Sequence, residues 1–404
     1  MRSVEEHQRV VAEMIRARPP VAVALADAQG LALAEDVVAR LALPVFDNSA
    51  MDGYAVRAED VAGATPERPV VLPVAEDIPA GRTDELTLRP KTAHRIMTGA
   101  PVPAGATAVV PVEDTDGGVD SVAIRSPRPG GAHIRRAGED VAPGTTVLRR
   151  GQVVTPAVLG LAAALGMAEL PVLPRQRVLV MSTGSELVSP GEALRPGQIY
   201  ESNSIMLAGA VRDAGAEVVA VVTAEDDVAQ FSALLDRYAA PENQVDLIIT
   251  SGGVSAGAYE VVKDAFGRDG DQGVDFVKVA MQPGMPQGIG RVAGATIVTL
   301  PGNPVSALVS FEVFIRPALR RAMGLPDPER PRRPAVLAES LTSPRGKRQF
   351  RRAILDRESG TVTSYGPPAS HHLRWLASAN GLLDIPEDVV EVSEGTELAV
   401  WDLS

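Results

Sequence analysis

Four segments of this chain combine glycine, hydroxyl and carboxylate residues at short spacing. They are Ser182-Thr183-Gly184-Ser185-Glu186, Glu225-Asp226-Asp227, Ser251-Gly252-Gly253-Val254-Ser255-Ala256-Gly257 and Leu300-Pro301-Gly302-Asn303-Pro304-Val305-Ser306. Glycine-rich loops that open helices present bare backbone N–H groups, an arrangement suited to phosphate and other oxyanions. Glu186 and Asp226 offer hard oxygen ligands for a divalent ion such as Mg2+. A metal would also reconcile an acidic protein with an anionic substrate. Each segment has a purely structural reading as well. Gly252-Gly253 is then a tight turn, and Asp226 and Asp227 cap a helix. Asn303 is a helix cap with Pro304 at the first helical position, and Glu186 is a solvated loop carboxylate. The chemical reading rests on convergence of all four segments on one sheet edge.

Such convergence needs a frame. Val178-Leu179-Val180-Met181 is an apolar run with no polar alternation, as expected of a parallel strand buried on both faces. A helix is expected over Asn203–Asp213, stopped at Gly215, then a strand Glu217–Val222 and a helix Asp227–Tyr238. Another strand, Val245–Thr250, precedes a helix near Tyr259–Phe266. Val274–Ala280 and Ala295–Leu300 are further strands, and Asn303–Met323 reads as one long final helix. This alternation predicts βαβ units and a mainly parallel sheet with right-handed crossovers over about 176–325. In such a sheet ligands bind at the carboxyl ends of the strands, where the four segments fall.

Upstream, Val4–Ala17 has helical spacing that stops at Pro19-Pro20. A second helix is expected over Pro156–Gly166, with Thr155 as N-cap. Between them, short runs at Val70–Val74, Ala108–Val112 and Ser121–Ile124, separated by Pro and Gly turns, read as a β-rich insertion. Pro326–Pro334 carries four prolines among charges and reads as a linker. Beyond it, Ala335–Glu339, Phe350–Leu355, Thr361–Ser364, Leu382–Pro386 and Glu397–Trp401 predict a small β domain. The fold class is therefore multidomain α/β. A split N-terminal domain (1–43 plus 145–175) holds an inserted β-rich domain (44–144), followed by the α/β domain (176–325) and a C-terminal β domain (334–404).

Composition bounds the rest. Of 404 residues, 45% are hydrophobic but only 3% aromatic, so Ala, Val and Leu must build the cores. The 51 acidic against 39 basic residues leave a net charge of −12, which argues against a nucleic-acid partner. With no cysteine, disulfides, thiolate metal sites and cysteine nucleophiles are excluded. The first residues, Met1 to His7, are charged and lack a signal-peptide core. The apolar stretch Ala157–Met167 is far short of the roughly 18 residues of a membrane span, so a cytoplasmic protein is expected. No strand is followed by a G-x-G-x-x-G helix start, which weighs against a nucleotide-dependent oxidoreductase.

Pro44-Val45-Phe46-Asp47-Asn48-Ser49-Ala50-Met51-Asp52-Gly53-Tyr54-Ala55 resembles the signature of the molybdopterin molybdotransferases, called MoeA in bacteria and the E domain of gephyrin in animals. Arg95–Pro101, Arg136–Asp140, Thr183–Leu187, Ser251–Gly257 and Leu300–Ser306 match in the same order, so the resemblance covers nearly the whole chain. It implies a MogA-like α/β domain, a barrel-like C-terminal domain and an elongated homodimer, with a cleft between the α/β domain and the first two domains of the partner. It also implies Mg2+-dependent insertion of molybdate into adenylylated molybdopterin, with release of AMP. By the resemblance, Glu186 and Asp226 are active-site carboxylates and metal ligands, and Glu260 stands where the family usually has Asp. Asp47, Thr98 and Asp140 are polar residues contributed by the inserted domain and its edges. Substrate contacts fall to Thr183, Gly184, Ser251, Gly252, Gly253, Ser255, Gly257, Pro301, Gly302, Asn303, Pro304, Ser306 and Ser370.

The resemblance has two gaps. Where the family reads Lys-Pro-Gly-Lys-Pro, this chain has Gln282-Pro283-Gly284-Met285-Pro286, so two oxyanion-holding charges are missing. In the C-terminal domain Ala369-Ser370-His371 replaces a Gly-Ser pair. Arg348, Arg351 and Arg352 lie nearby and read either as compensating charge or as solvated residues of an exposed strand. His371-His372 is not expected to bind metal, because neighbours on a strand face opposite ways. Two functions follow: a working molybdotransferase with altered molybdate binding, or a gephyrin-like dimeric scaffold with impaired catalysis. The scaffold would hold a receptor or cytoskeletal peptide in the groove between the third and fourth domains.

Overall fold

Apolar runs without alternation become the buried centre of a sheet. In the computed structural model, which describes residues 1–253, 261–267 and 273–404, Val178 to Met181 and Leu247 to Ile249 are wholly buried. The chain divides into two compact units, one of residues 1–34, 151–154 and 171–404, the other of 35–150 and 155–170.

The first unit is built on β1 (Arg177–Thr183), α1 (Asn203–Asp213), β2 (Glu217–Ala224), α2 (Val228–Tyr238), β3 (Leu247–Ser251), α3 (Val261–Phe266), β4 (Val274–Lys278), β5 (Pro286–Val292) and β6 (Ala295–Leu300). The six strands lie in the order β2-β1-β3-β6-β5-β4. The first four are parallel, while β5 runs antiparallel to both β6 and β4. The expectation of a mainly parallel sheet thus holds for four strands, and β5 is an addition to it. Register keeps the carboxyl ends level: Thr183 pairs with Ala224, Ser182 with Ser251, and Ser251 with Leu300.

The expected final helix is continuous but uneven. It runs as α4 (Pro304–Ser310), a π-helical turn (Phe311–Ile315) and α5 (Arg316–Ala322). Pro317 has no N–H to give to the carbonyl four residues back, which favours such a widened turn. That carbonyl, on Val313, instead accepts a hydrogen bond from Gln8 Nε2 at 3.1 Å. Gln8 belongs to the N-terminal helix Val4–Met14, capped by the Ser3 hydroxyl. His7 of that helix is fully buried edge-on to Phe314, and burial drives its pKa down to about 4.

The C-terminal strands β7 (Arg332–Leu337), β8 (Arg348–Asp356), β9 (Thr361–Ser364), β10 (Gly381–Ile385) and β11 (Glu397–Asp402) close into a barrel, because β8 pairs with β10 as well as with β9. A short helix, α6 (Leu373–Ser378), fills the β9–β10 connection. The expected linker is partly strand, since β7 begins at Arg332. In the second unit a five-stranded sheet contains Val70–Ile78 and Ser121–Ile124, and Thr155 caps Pro156–Ala164 through a bond to Val158 N. No helix among the described residues is long and apolar enough to cross a membrane.

Candidate active site

At the carboxyl ends of β1, β2, β3 and β6 the loops are tied to one another by their own polar groups. Ser185 N donates to Asp226 Oδ2 at 3.0 Å, and Asp226 N donates to Ser185 Oγ at 2.9 Å. This reciprocal pair fixes the β1 loop to the β2 loop. Asn203 Nδ2 donates to Ser251 Oγ at 2.9 Å and to the Gly302 carbonyl at 2.6 Å, joining the start of α1 to the ends of β3 and β6. Capping of α2 falls to Asp227, whose carboxylate accepts from Gln230 N at 2.7 Å. The cap reading therefore applies to Asp227, and Asp226 is left facing the cavity.

The resulting cavity is about 590 Å3, lined among others by Thr183, Gly184, Glu186, Asp226, Ser251, Gly252, Gly253, Gly302, Asn303 and Pro304. Its glycines are there for close approach. A Cβ at Gly252 would lie 2.7 Å from the Thr183 carbonyl, and the backbone there has φ +100°. One at Gly184 would lie 2.6 Å from a Glu186 carboxylate oxygen. Thr183 is buried at 7% exposure and its hydroxyl has no partner among the described residues. Buried polar atoms are nearly always bonded, so an orphan in a cavity wall suits an incoming ligand.

Not every expected residue lines this cavity. Pro301 stands behind it, its carbonyl accepting from Ser251 Oγ at 3.5 Å. Ser306 is buried in the first turn of α4. Ser370 contributes its carbonyl to Val305 N at 3.0 Å, and its neighbour His371 reaches the cavity wall instead. Ser255, Gly257 and Glu260 lie outside the described residues.

Sequence reading missed Glu201 and His371. Glu201 lines the cavity at 5% exposure and accepts from Ser182 Oγ and Ser204 N at 2.9 Å each, and from Ser204 Oγ. The tripeptide Glu201-Ser202-Asn203 just before a helix was the available signal. The two histidines are not on a strand. They occupy a turn before α6 and their rings stack edge-on at 4.3 Å, which corrects the geometric reason given against a metal there. No group of three or more His, Asp or Glu residues placed for a metal occurs among the described residues.

A narrow cleft opens beside Val305, lined by Gln282, Pro283, Gln349, Arg351 and Arg352. Gln349 Nε2 donates to Gln282 Oε1 at 3.1 Å. Arg352 is 3% exposed, which removes the reading of a solvated charge for it. Its guanidinium bonds only carbonyls, those of His372 and Pro367, and burial lowers its pKa and that of Arg351. Arg348, by contrast, is committed to Asp384 through two bonds at 2.7 and 2.6 Å and to Glu5.

Within the second unit, Asp47, Thr98 and Asp140 sit on three loops stitched by backbone bonds. Ser49 N reaches Ala100 O at 3.0 Å, Gly99 N reaches Ser49 O at 2.8 Å, and Asp140 N reaches Leu43 O at 3.0 Å. Asp47 accepts from Ala137 N and Arg136, and these bonds hold its carboxyl below the usual range. Thr98 donates N–H and O–H to Asp52, both at 2.7 Å, and lowers that carboxyl in turn.

Residues 2–166, 179–321 and 334–403 match three described families: MoeA N-terminal region (domain I and II), probable molybdopterin binding domain, and MoeA C-terminal region (domain IV). The chain is 80% identical, over all of both chains, to molybdopterin molybdenumtransferase 2 of Mycobacterium tuberculosis. It is 39% identical to molybdopterin molybdenumtransferase 1 of the same organism, covering 98% of this chain and 97% of that one. A crystal structure of the molybdopterin biosynthesis MoeA protein of Pyrococcus horikoshii superimposes with a TM-score of 0.80 at 30% identity, covering 100% of this chain and 99% of that one. The chain therefore belongs to the molybdopterin molybdenumtransferase family, as an enzyme of molybdenum cofactor biosynthesis.

Proposed function

We propose that the cavity binds adenylylated molybdopterin and that the enzyme inserts molybdate with cleavage of the phosphoanhydride and release of AMP. The observation that carries this reading is the cavity wall itself. Gly184, Gly252 and Gly253 line it without side chains, the Thr183 hydroxyl is unpartnered among the described residues, and Glu186 and Asp226 face the same space from adjacent strand ends. Mg2+ fits this donor set, since it commonly takes one or two carboxylates and completes its shell with water and substrate phosphate. Glu186 and Asp226 would hold it, and it would neutralise phosphate charge. The chain's own part is positioning. Gly252 and Gly253 admit the phosphate group, Thr183 donates to it, and the Asn203 bridge keeps the β3 and β6 loops in register. Such chemistry is largely orientation plus charge stabilisation.

Molybdate in this reading binds beside Gln282, where Arg351 is the candidate for the charge that the missing lysines do not supply, Arg352 being committed to carbonyls. The enzyme works as a cytoplasmic homodimer with the four domains bounded as above, Asp47, Thr98 and Asp140 contributing from the inserted one. A second reading has one observation in its favour. A groove of about 280 Å3, lined by Met206, Leu308, Val309, Leu376, Leu382 and Leu403, has room for a side chain or two of a bound peptide, as a gephyrin-like scaffold requires. The test is AMP release from adenylylated molybdopterin with Mg2+ present. Release that saturates with molybdate supports the enzyme reading. No release from a folded protein rejects it and turns attention to the groove.

A further inference from the structure

The cavity wall is unbalanced in charge. Among the described residues that line it are three carboxylates, on Glu186, Glu201 and Asp226, and no lysine or arginine. The segment 254–260, outside the described residues, carries none either. One lining side chain can take a positive charge, the imidazole of His371. Its backbone is pinned from two sides. Val305 N donates to the Ser370 carbonyl at 3.0 Å, and Arg352 Nη1 donates to the His372 carbonyl at 2.8 Å. The exposed ring stacks on His372, so it is held at the rim rather than swinging free in solvent.

We propose that His371, as imidazolium, is a substrate-binding residue that contacts the phosphate of an adenine nucleotide in this cavity. The proposal rests on the reading of the cavity as a nucleotide-phosphate site. An anion entering a wall of carboxylates and neutral dipoles gains most from the one group that can answer its charge. A bound phosphate favours the protonated imidazole in return, so binding and protonation are linked. The groups facing His371 are consistent with this. Glu186, Glu201 and Asp226 line the same cavity. The first turn of α4 carries no charge, Arg352 is spent on carbonyls, and Arg374 of α6 lies over Trp375 at 5.0 Å.

The test is binding of ADP to the full-length protein by titration calorimetry without Mg2+, at pH 6 and pH 8. Wild type should bind at least fivefold more tightly at pH 6. His371→Gln should lose that gain, and His371→Arg should bind at both pH values with wild-type strength at pH 6 or better. Urea unfolding checks that each variant is as stable as the parent, as expected for an exposed side chain. In a histidine-selective NMR spectrum, the imidazole signal absent from His371→Gln should move on adding ADP. Retention of the full pH dependence by His371→Gln would overturn the assignment while leaving the nucleotide site standing. No ADP binding by wild type at either pH, with or without added Mg2+, would overturn the site reading and the assignment with it.

Discussion

Carboxylates in the loops of the second unit and at the sheet edge of the first are treated in different ways. In the second unit Asp47 is met by Ala137 N and Arg136, and Asp52 by both donors of Thr98, so the chain itself answers these charges. At the sheet edge of the first unit Glu186 and the second oxygen of Asp226 face a cavity whose wall, among the described residues, holds no lysine or arginine, while Glu201 is met by Ser182 and Ser204. The difference separates carboxylates that fasten loops from carboxylates that await a partner from outside. A charge already answered contributes to local order, whereas one left open contributes to binding.

Perturbing groups of each kind tests that division. The largest effect is expected at His7, a buried ring whose Nδ1 lies 3.4 Å from Arg2 Nη1 and whose Nε2 has no partner among the described residues, and concerns stability. Its pKa in the folded state is about 4 against 6.5 in the unfolded chain, so the unfolded state takes up a proton first as pH falls. Stability is complete above pH 6.5 and declines towards pH 4 by about 3 kcal/mol for this group. Urea midpoints across that window should fall less steeply for His7→Phe, and equal slopes would refute the assignment. Next is Glu201→Ala, which strands the donors of Ser182 and Ser204 in a buried place. A loss of about 2–3 kcal/mol in urea unfolding is expected, and a loss below half a kcal/mol would class Glu201 with the open carboxylates. Glu186→Ala should lower AMP release at least tenfold, about 1.4 kcal/mol of barrier, without moving the urea midpoint. Unchanged turnover would remove Glu186 from the mechanism. The smallest effect is expected for Asp47→Asn. Its side chain is 39% exposed, so solvent screening keeps the stability change below about 1 kcal/mol. Asp47 stabilises above the unfolded carboxylate range and the gain is lost as pH falls through its lowered value, so the mutant and parent should converge in acid.

Much of the frame was legible because patterns of burial leave patterns of residues. Asn203–Asp213, Ala295–Leu300 and Ser121–Ile124 fall where the sequence puts them. β5 was not legible, and its glycines explain why. Pro286-Gln287-Gly288-Ile289-Gly290 reads as a turn, yet a Cβ at Gly288 would lie 2.1 Å from Thr299 Oγ1 and one at Gly290 would lie 2.0 Å from the Gly273 carbonyl. Glycine is there to let strands close up, a requirement that only the neighbouring strands reveal. The four loops of the site were legible from type and spacing. Glu201 was not, because a glutamate before a helix looks like any solvated charge until Ser182 is placed beside it. His371 was hidden by treating residues 371–372 as strand, where the turn brings one ring to the cavity and stacks the other behind it.

The bond from Gln8 to the carbonyl that Pro317 leaves free has a consequence for how the protein is made. Its two ends are 305 residues apart in sequence. At about 5–20 residues per second of synthesis, the N-terminal helix emerges roughly 15–60 seconds before its acceptor exists. During that interval the face that the fold buries, Val4, His7 and Val11, has no native surface at residues 311–322 to cover it. The α/β unit thus completes its packing late, through a contact of the long-range kind whose closure is slow.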